Sequence, residues 1–317
     1  MAGVVSQPDR RRGRGGALCP SPVKARALEM GLPVFTPGRI RRDTGIQQEL
    51  AALGADVYVV VAFGQILPLS VLEQPPLGCW NGHASLLPRW RGAAPIQWAL
   101  IEGDRQTGVG IMAMEEGLDT GPVLLERRLE IGLLENARQL GERLASLTGD
   151  LLVEALPRIA ASGEGPRRER LERLGVRPQA REGVRIARLL GREDFHIDWH
   201  LPALKVHRRV MGLHPGAFTH WRGQRFKLHA TEPLLASCAD ELTPEAAAWA
   251  WRLSGQEVQS TAAPGTVLAL EPGVGVVVSC GEGALLLRGG QLEGRRAVGN
   301  QALLQQLGGE VGDRFGS

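Results

Sequence analysis

The run Val57–Ala62, Val-Tyr-Val-Val-Val-Ala, constrains the fold more than any other stretch, because it is apolar on both faces of an extended chain. A strand of that pattern is expected at the centre of a parallel sheet, covered by helices on both sides. Short β-branched runs at Gly3–Ser6 and Leu77–Trp80, and later near Val109–Met114 and Val123–Ile131, alternate with helical patterns such as Ser21–Met30. This alternation predicts an α/β fold with a doubly wound, mostly parallel sheet. Ala137–Ala160 reads as a helix, with Leu140, Leu144, Leu147, Leu151 and Leu152 on one face.

The pattern changes after residue 162. Gly163–Gln179 carries Gly, Pro, Glu and Arg with little apolar period, and is expected to be a linker that wraps the surface. Leu201–Met211 predicts a short helix. Thr266–Leu270, Gly275–Ser279 and Ala284–Leu287 then predict strands broken by glycine, as in a small β-barrel. The expected organisation is a first domain over 1–162, a linker over 163–190 and a second domain over 191–317.

Composition excludes several classes. With 43% hydrophobic and 22% charged residues the chain is an ordinary globular one. No run of 18 apolar residues and no signal-peptide core is present, so a cytoplasmic protein with no membrane partner is expected. Cys19, Cys79, Cys238 and Cys280 are too scattered for a zinc or redox motif. His196 and His200 have the spacing of a helical metal pair, but no metal is expected. Neither a Gly-x-x-x-x-Gly-Lys loop nor a Gly-x-Gly-x-x-Gly fingerprint occurs, which argues against ATP and dinucleotides. The net charge of +3 is unevenly spread. Arg10, Arg11, Arg12 and Arg14 form one cluster, and nine arginines from Arg167 to Arg192 form another, read as a solvated face.

Two segments carry the chemistry: Asn81-Gly-His83-Ala-Ser85-Leu86-Leu87-Pro88, and Gly117-Leu-Asp119-Thr-Gly121. Each leaves a strand-like run, and loops at the carboxyl ends of strands line the ligand crevice of an open α/β sheet. An amide donor, an imidazole and a carboxylate together suit acyl transfer without a covalent intermediate. Taken singly, each residue also has a structural reading: Asn81 and Asp119 as turn formers, His83 as a hydrogen-bonded core histidine.

Asn-x-His, Ser-Leu-Leu-Pro and Gly-Leu-Asp-Thr-Gly resemble the signature of the folate-dependent formyltransferases. The longer string Ser85–Gln97, Gln7-Pro-Asp-Arg10, Gly13-Arg14-Gly15 and Pro20-Ser-Pro-Val-Lys24 are similar to the branch of that family acting on methionyl-tRNA. The resemblance implies a Rossmann-like sheet followed by an OB-like β-barrel that binds tRNA. It also implies transfer of a formyl group from 10-formyltetrahydrofolate, a co-substrate rather than a permanently bound cofactor, to the methionyl amine of initiator tRNA. Asn81 and protonated His83 would stabilise the oxyanion, and Asp119 would hold the imidazolium. Folate would lie across Ile66, Leu67, Ser85, Leu86, Leu87 and Pro88. Arg10, Arg14 and Lys24 would meet the tRNA, with Arg14 between two glycines placed to reach the acceptor end. A monomer is expected.

Two other readings remain open on the sequence: a formyltransferase for a small amine, such as glycinamide ribonucleotide or an amino sugar, and an inactive folate- or RNA-binding homologue. The second rests on a departure from the family. The resemblance starts at Gly3–Ser6, as the second strand, and the first strand with its Gly-Thr turn has no counterpart. The chain is therefore expected to be an N-terminally shortened product that folds poorly, with an in-frame extension upstream of Met1. Melting and activity of the short and extended chains, which should differ, test this.

Overall fold

The computed structural model describes residues 1–12, 16–255 and 262–316. In chain order the elements to residue 161 are β1 (Val4–Val5), β2 (Arg10–Arg12), β3 (Ala17–Cys19), α1 (Pro22–Glu29), β4 (Val34–Phe35), α2 (Thr44–Ala52), β5 (Tyr58–Val60), α3 (Leu69–Leu72), β6 (Cys79–His83), β7 (Arg91–Gly92), α4 (Pro95–Glu102), β8 (Gln106–Ala113), β9 (Val123–Glu130) and α5 (Ala137–Ala161). Then follow α6 (Arg167–Leu174), β10 (Ile186–Ala187), α7 (Ala203–Gly212), β11 (Phe218–Trp221), β12 (Gln224–Pro233), α8 (Pro244–Ser254), β13 (Val267–Glu271), β14 (Gly275–Ser279), β15 (Ala284–Leu292), β16 (Val298–Gly299) and α9 (Asn300–Leu307). No helix among the described residues is long and apolar enough to cross a membrane. The chain forms two compact units interleaved in sequence: Met1–Ala93, Gly108–Arg128 and Leu144–Ile186 in one, Ala94–Thr107, Leu129–Arg143 and Ala187–Ser317 in the other.

The first unit is α/β, but its strands are mixed rather than mostly parallel. β1 pairs parallel with β4, and β5 pairs parallel with β6. β8 then runs antiparallel to β6, so that Trp80 faces Ala113 and His83 faces Gly110. The sheet order β5-β6-β8-β9 puts β5 at an edge, with β1 and β4 in a separate sheet. This corrects the expectation of a central, doubly covered strand at Val57–Ala62, since Val59 and Val61 are 42% and 49% exposed. The inner face of that strand does pack: Tyr58 and Val60 join Ile40, Leu50, Leu67 and Val71 in one apolar cluster.

Local chemistry sets the helix boundaries. Ser21 caps α1 by accepting from the Lys24 N–H at 3.0 Å, and Pro22 occupies the first turn, where a missing N–H costs nothing. α5 buries Leu140, Leu144, Leu147 and Leu151 as its period predicts. One residue on β6 ties that helix to the sheet. A Cβ at Gly82 would stand 2.6 Å from Thr148 Cγ2, so glycine lets α5 lie against β6. The segment expected to be a linker wrapping the surface contains α6, an arginine-rich helix closed by Gly175 in the left-handed region.

The second unit holds an antiparallel sheet in the order β11-β12-β15-β14-β13, with β16 beside β15. Of the expected OB-like β-barrel the structure shows the antiparallel sheet, with no ladder directly between β11 and β13 among the described residues. Its outer strands are linked through the tail: Phe315 bridges to Trp221 at the end of β11 and Arg314 to Thr266 before β13, the Val267 N–H donates to the Asp313 carbonyl at 2.8 Å, and the Gly316 N–H donates to the His220 carbonyl at 2.9 Å. Phe315 is 1% exposed and its ring lies 4.4 Å from Trp221, 5.6 Å from Trp199 and 5.7 Å from Phe226. α7 turns Ala203, Val206 and Val210 into the same core. α4 packs on it closely, since a Cβ at Gly212 would stand 2.8 Å from Ile101 Cγ1 and 3.0 Å from the Gln97 carbonyl.

Candidate active site

β6 brings Asn81 and His83 to one face, because alternate residues of a strand share a face, and sends Gly82 to the helix side. Both side chains are buried. Asp119 reaches them from the loop after β8. Its Oδ1 accepts a long hydrogen bond from Asn81 Nδ2 at 3.5 Å, and its Oδ2 lies 3.7 Å from His83 Nδ1. The three residues singled out in the sequence thus converge.

The imidazole is oriented from behind. His83 Nε2 lies 2.9 Å from the Trp90 carbonyl oxygen. A carbonyl only accepts, so Nε2 carries a hydrogen and Nδ1 is the nitrogen left for chemistry and for Asp119. Trp90 sits at φ 63°, an unusual backbone for a bulky residue, and Asp119 sits at φ 49°, which Asp tolerates better than most. Strained backbone on both loops beside the same imidazole is typical of a functional site.

Asp119 is held by more than its side chain. Its Oδ2 accepts from the Gly92 N–H at 2.8 Å. Gln179 donates from Nε2 to the carbonyls of Asp119 and Gly121, at 2.8 and 2.7 Å, while its Oε1 accepts from Arg91 Nε and Nη2 at 3.0 and 2.7 Å. Gly121 cannot be replaced without moving this loop, because a Cβ there would overlap the Ala113 carbonyl oxygen at 1.7 Å. Gln179, the Gly92 N–H and the Trp90 carbonyl were not foreseen from the sequence. Two are backbone groups without a side-chain signature, and Gln179 lies 60 residues from its partner in a segment read as linker.

The expected folate residues separate into two groups. Leu67 and Leu87 are buried in apolar clusters, and the Ser85 hydroxyl is buried and donates to the Arg89 carbonyl at 2.6 Å. Ile66 is 69% exposed, and Leu86 and Pro88 are partly exposed. Among the expected tRNA residues, Arg10 is exposed on the β2–β3 hairpin, while Lys24 is paired with Asp9 at 2.8 Å. Arg14 lies outside the described residues.

Nucleophilic catalysis has no support here. Cys79, two residues before Asn81, is buried, and burial pushes its thiol up to about 12, so it is not a thiolate at neutral pH. Among the described residues no group of three or more His, Cys, Asp or Glu could hold a metal ion. An amide donor, an oriented imidazole and a carboxylate can stabilise an oxyanion and move a proton during direct acyl transfer.

Residues 1–156 match the model of the formyl transferase family, and residues 189–308 that of the formyl transferase C-terminal domain. A methionyl-tRNA formyltransferase of Synechococcus sp. (strain RCC307) is 62% identical over 97% of this chain and 92% of its own length. One from Prochlorococcus marinus (strain MIT 9303) is 54% identical over 100% of this chain and 92% of its own. Among solved structures, HypX from Aquifex aeolicus in complex with tetrahydrofolic acid aligns at TM-score 0.59 and 17% identity, covering 97% of this chain and 48% of that one. An N-formyltransferase from Helicobacter canadensis, in complex with folinic acid and dTDP-3-aminofucose, aligns at TM-score 0.57 and 10% identity over 90% and 98% of the two chains. At these identities the two structures speak to the fold.

Proposed function

We infer the chemistry of this site from one premise: the chain belongs to the methionyl-tRNA formyltransferase family. It is an enzyme that transfers a formyl group from 10-formyltetrahydrofolate to the α-amino group of methionyl initiator tRNA, for translation initiation. The observation that carries the mechanism is the meeting of Asn81, His83 and Asp119. The methionyl amine attacks the formyl carbon, and the carbonyl oxygen becomes an oxyanion that accepts hydrogen bonds from Asn81 Nδ2 and from protonated His83 Nδ1. The bond from that carbon to N10 then breaks, the amine gives up a proton and N10 gains one. Asp119 stabilises the imidazolium throughout. Folate lies over the exposed Ile66 and the partly exposed Leu86 and Pro88, with Leu67, Ser85 and Leu87 shaping the wall behind them. The second unit carries tRNA, and the enzyme works as a cytoplasmic monomer.

Formylation rates on methionyl initiator tRNA, free methionine and glycinamide ribonucleotide test the assignment. Activity confined to the tRNA is expected, and preference for either small amine would overturn it.

Gln179 is a positioning residue for this reaction. It touches neither substrate, yet it fixes the loop that carries Asp119, and a misplacement of about 1 Å can cost on the order of 10²-fold in rate. Gln179→Ala is expected to lower kcat roughly 10- to 100-fold with little change in the tRNA KM. Gln179→Glu, which keeps the acceptor for Arg91 but loses both donors, should fall equally far. Unchanged kcat in both variants would remove Gln179 from the mechanism.

Arg14, flanked by Gly13 and Gly15, contributes to tRNA affinity rather than to chemistry. Arg14→Ala should raise the apparent KM for tRNA and reduce the slope of its logarithm against log salt by about 1, the signature of one lost phosphate contact. Folate affinity should stay put. A tRNA KM that matches wild type throughout a salt series contradicts this role.

A further inference from the structure

β6 begins at a cavity. About 13 Å along the strand from His83, Cys79 and Trp80 help line a space of about 280 Å³ together with Leu72, Pro75, Leu77, Leu171, Arg167 and Arg170. None of the residues assigned above to formyl transfer lines it.

Arg170 is the unusual member. It is 6% exposed, and its Nε donates to the Gly165 carbonyl at 3.2 Å. Its two η nitrogens lie over Gly78, each 3.4 Å from where a Cβ would stand, and among the described residues nothing accepts from them. The other arginines of α6 each have a carboxylate: Arg167 with Glu115 at 3.5 Å, Arg168 with Glu172 at 2.9 Å, Arg173 with Glu169 at 3.9 Å. Of these arginines Arg170 alone is buried, and among the described residues no ion pair compensates it. Burial, with the like charges of Arg167 and Arg173 nearby, pushes its guanidinium below the ordinary arginine value, though arginine stays charged in proteins. A buried charge is ordinarily paired.

The remaining lining fits an anion with an apolar body. Leu72, Pro75, Leu77 and Leu171 supply apolar walls, and the neutral Cys79 thiol adds no opposing charge. The acid in the lining is Glu73, which is exposed. It disfavours a dianion more than a monoanion. A planar guanidinium offering two adjacent nitrogens matches the two oxygens of a carboxylate. The volume is just below the usual range for small-molecule sites, about 300–1,000 Å³.

We propose that this cavity is a binding site for a small organic carboxylate, held bidentately by Arg170 Nη1 and Nη2 with its apolar body against Leu72, Leu77 and Leu171. The site is separate from formyl transfer.

Calorimetric titration of the full chain with benzoate, and separately with inorganic phosphate, tests it. Benzoate is expected to bind one per chain with millimolar or better affinity, and phosphate not to compete. Arg170→Met should weaken benzoate roughly tenfold to a hundredfold, the cost of losing hydrogen bonds to a charged group. It should melt no lower than wild type, because a buried uncompensated charge is exchanged for a side chain of similar volume, and its formylation rate should be unchanged. Arg170→Lys, which keeps the charge but not the fork, should also bind benzoate more weakly and guards against a folding failure of the first variant. Absence of benzoate binding at millimolar concentrations, equal affinity in wild type and both variants, or binding of phosphate in place of benzoate would each overturn the proposal.

Discussion

Asp119→Asn is expected to lower the turnover of formyl transfer by about 10²–10³, with folate affinity nearly unchanged. Besides accepting the long hydrogen bond from Asn81 Nδ2 at 3.5 Å, which the amide of an asparagine would also lose, the carboxylate has two tasks that this substitution separates. One is to accept the Gly92 N–H at 2.8 Å, which an asparagine oxygen can still do. The other is to place a negative charge 3.7 Å from His83 Nδ1, which asparagine cannot. Asparagine also tolerates the left-handed backbone at φ 49°, so the loop is not strained by the change, whereas alanine there would be. Losing the charge leaves the imidazolium without its partner at the step where the oxyanion needs it. Asn81→Ala removes a donor aimed at the same oxyanion and belongs in the same range, since one such donor typically contributes 10²–10³ in rate. Steady-state kcat measured beside a folate binding titration decides the matter. Near-normal turnover in Asp119→Asn would mean that the carboxylate only holds the loop.

The second large effect concerns stability. Phe315→Ala should destabilise the antiparallel unit by about 3–5 kcal/mol, the usual cost of truncating a buried phenylalanine. Its ring fills the space between Trp199, Trp221 and Phe226, and its backbone N–H donates to the Gly265 carbonyl at 2.8 Å. The loss is a large part of the roughly 5–15 kcal/mol that holds a typical domain together. Urea unfolding followed by tryptophan fluorescence reports on it directly, because two indoles touch the ring. Phe315→Leu, which keeps most of the volume, should lose clearly less. A midpoint within experimental error of wild type in Phe315→Ala would show that the tail is an ornament on the sheet rather than part of its core.

The sequence was most legible where function forces a side chain. Asn81, His83 and Asp119 stand out because their types and spacing suit acyl transfer, and the structure brings them together. The groups that orient them did not stand out. A carbonyl at Trp90 and an N–H at Gly92 belong to every residue, and only the folded loop makes them special. Apolar runs were read correctly as strands but not in their surroundings. Val57–Ala62 has the composition of a doubly covered strand, yet composition cannot reveal which neighbour lies on each side, and Val59 and Val61 face outward. β12 escaped notice for a different reason. Its buried Phe226 and Leu228 alternate with Arg225 and Lys227, a period of two that basic residues disguise as surface. Closure of the second sheet is hidden for a related reason: glycine-broken strands imply curvature, but how the outer strands are joined depends on distant residues, and here they are linked through the tail rather than by a ladder of their own.

The interleaving of the two units also bears on how the chain is made. A ribosome delivers residues in order, at about 5–20 per second. α4 emerges early, yet the helix it packs against, α7, begins about a hundred residues later. For roughly 5–20 s the apolar side of α4, with Ile101 on it, has been synthesised before its partner. The first unit is also incomplete when α4 emerges, because it draws on residues as late as Ile186. Nascent chains of this enzyme therefore carry the apolar side of α4 without its partner over the stretch of synthesis from α4 to α7, and holding chaperones have that interval in which to engage them.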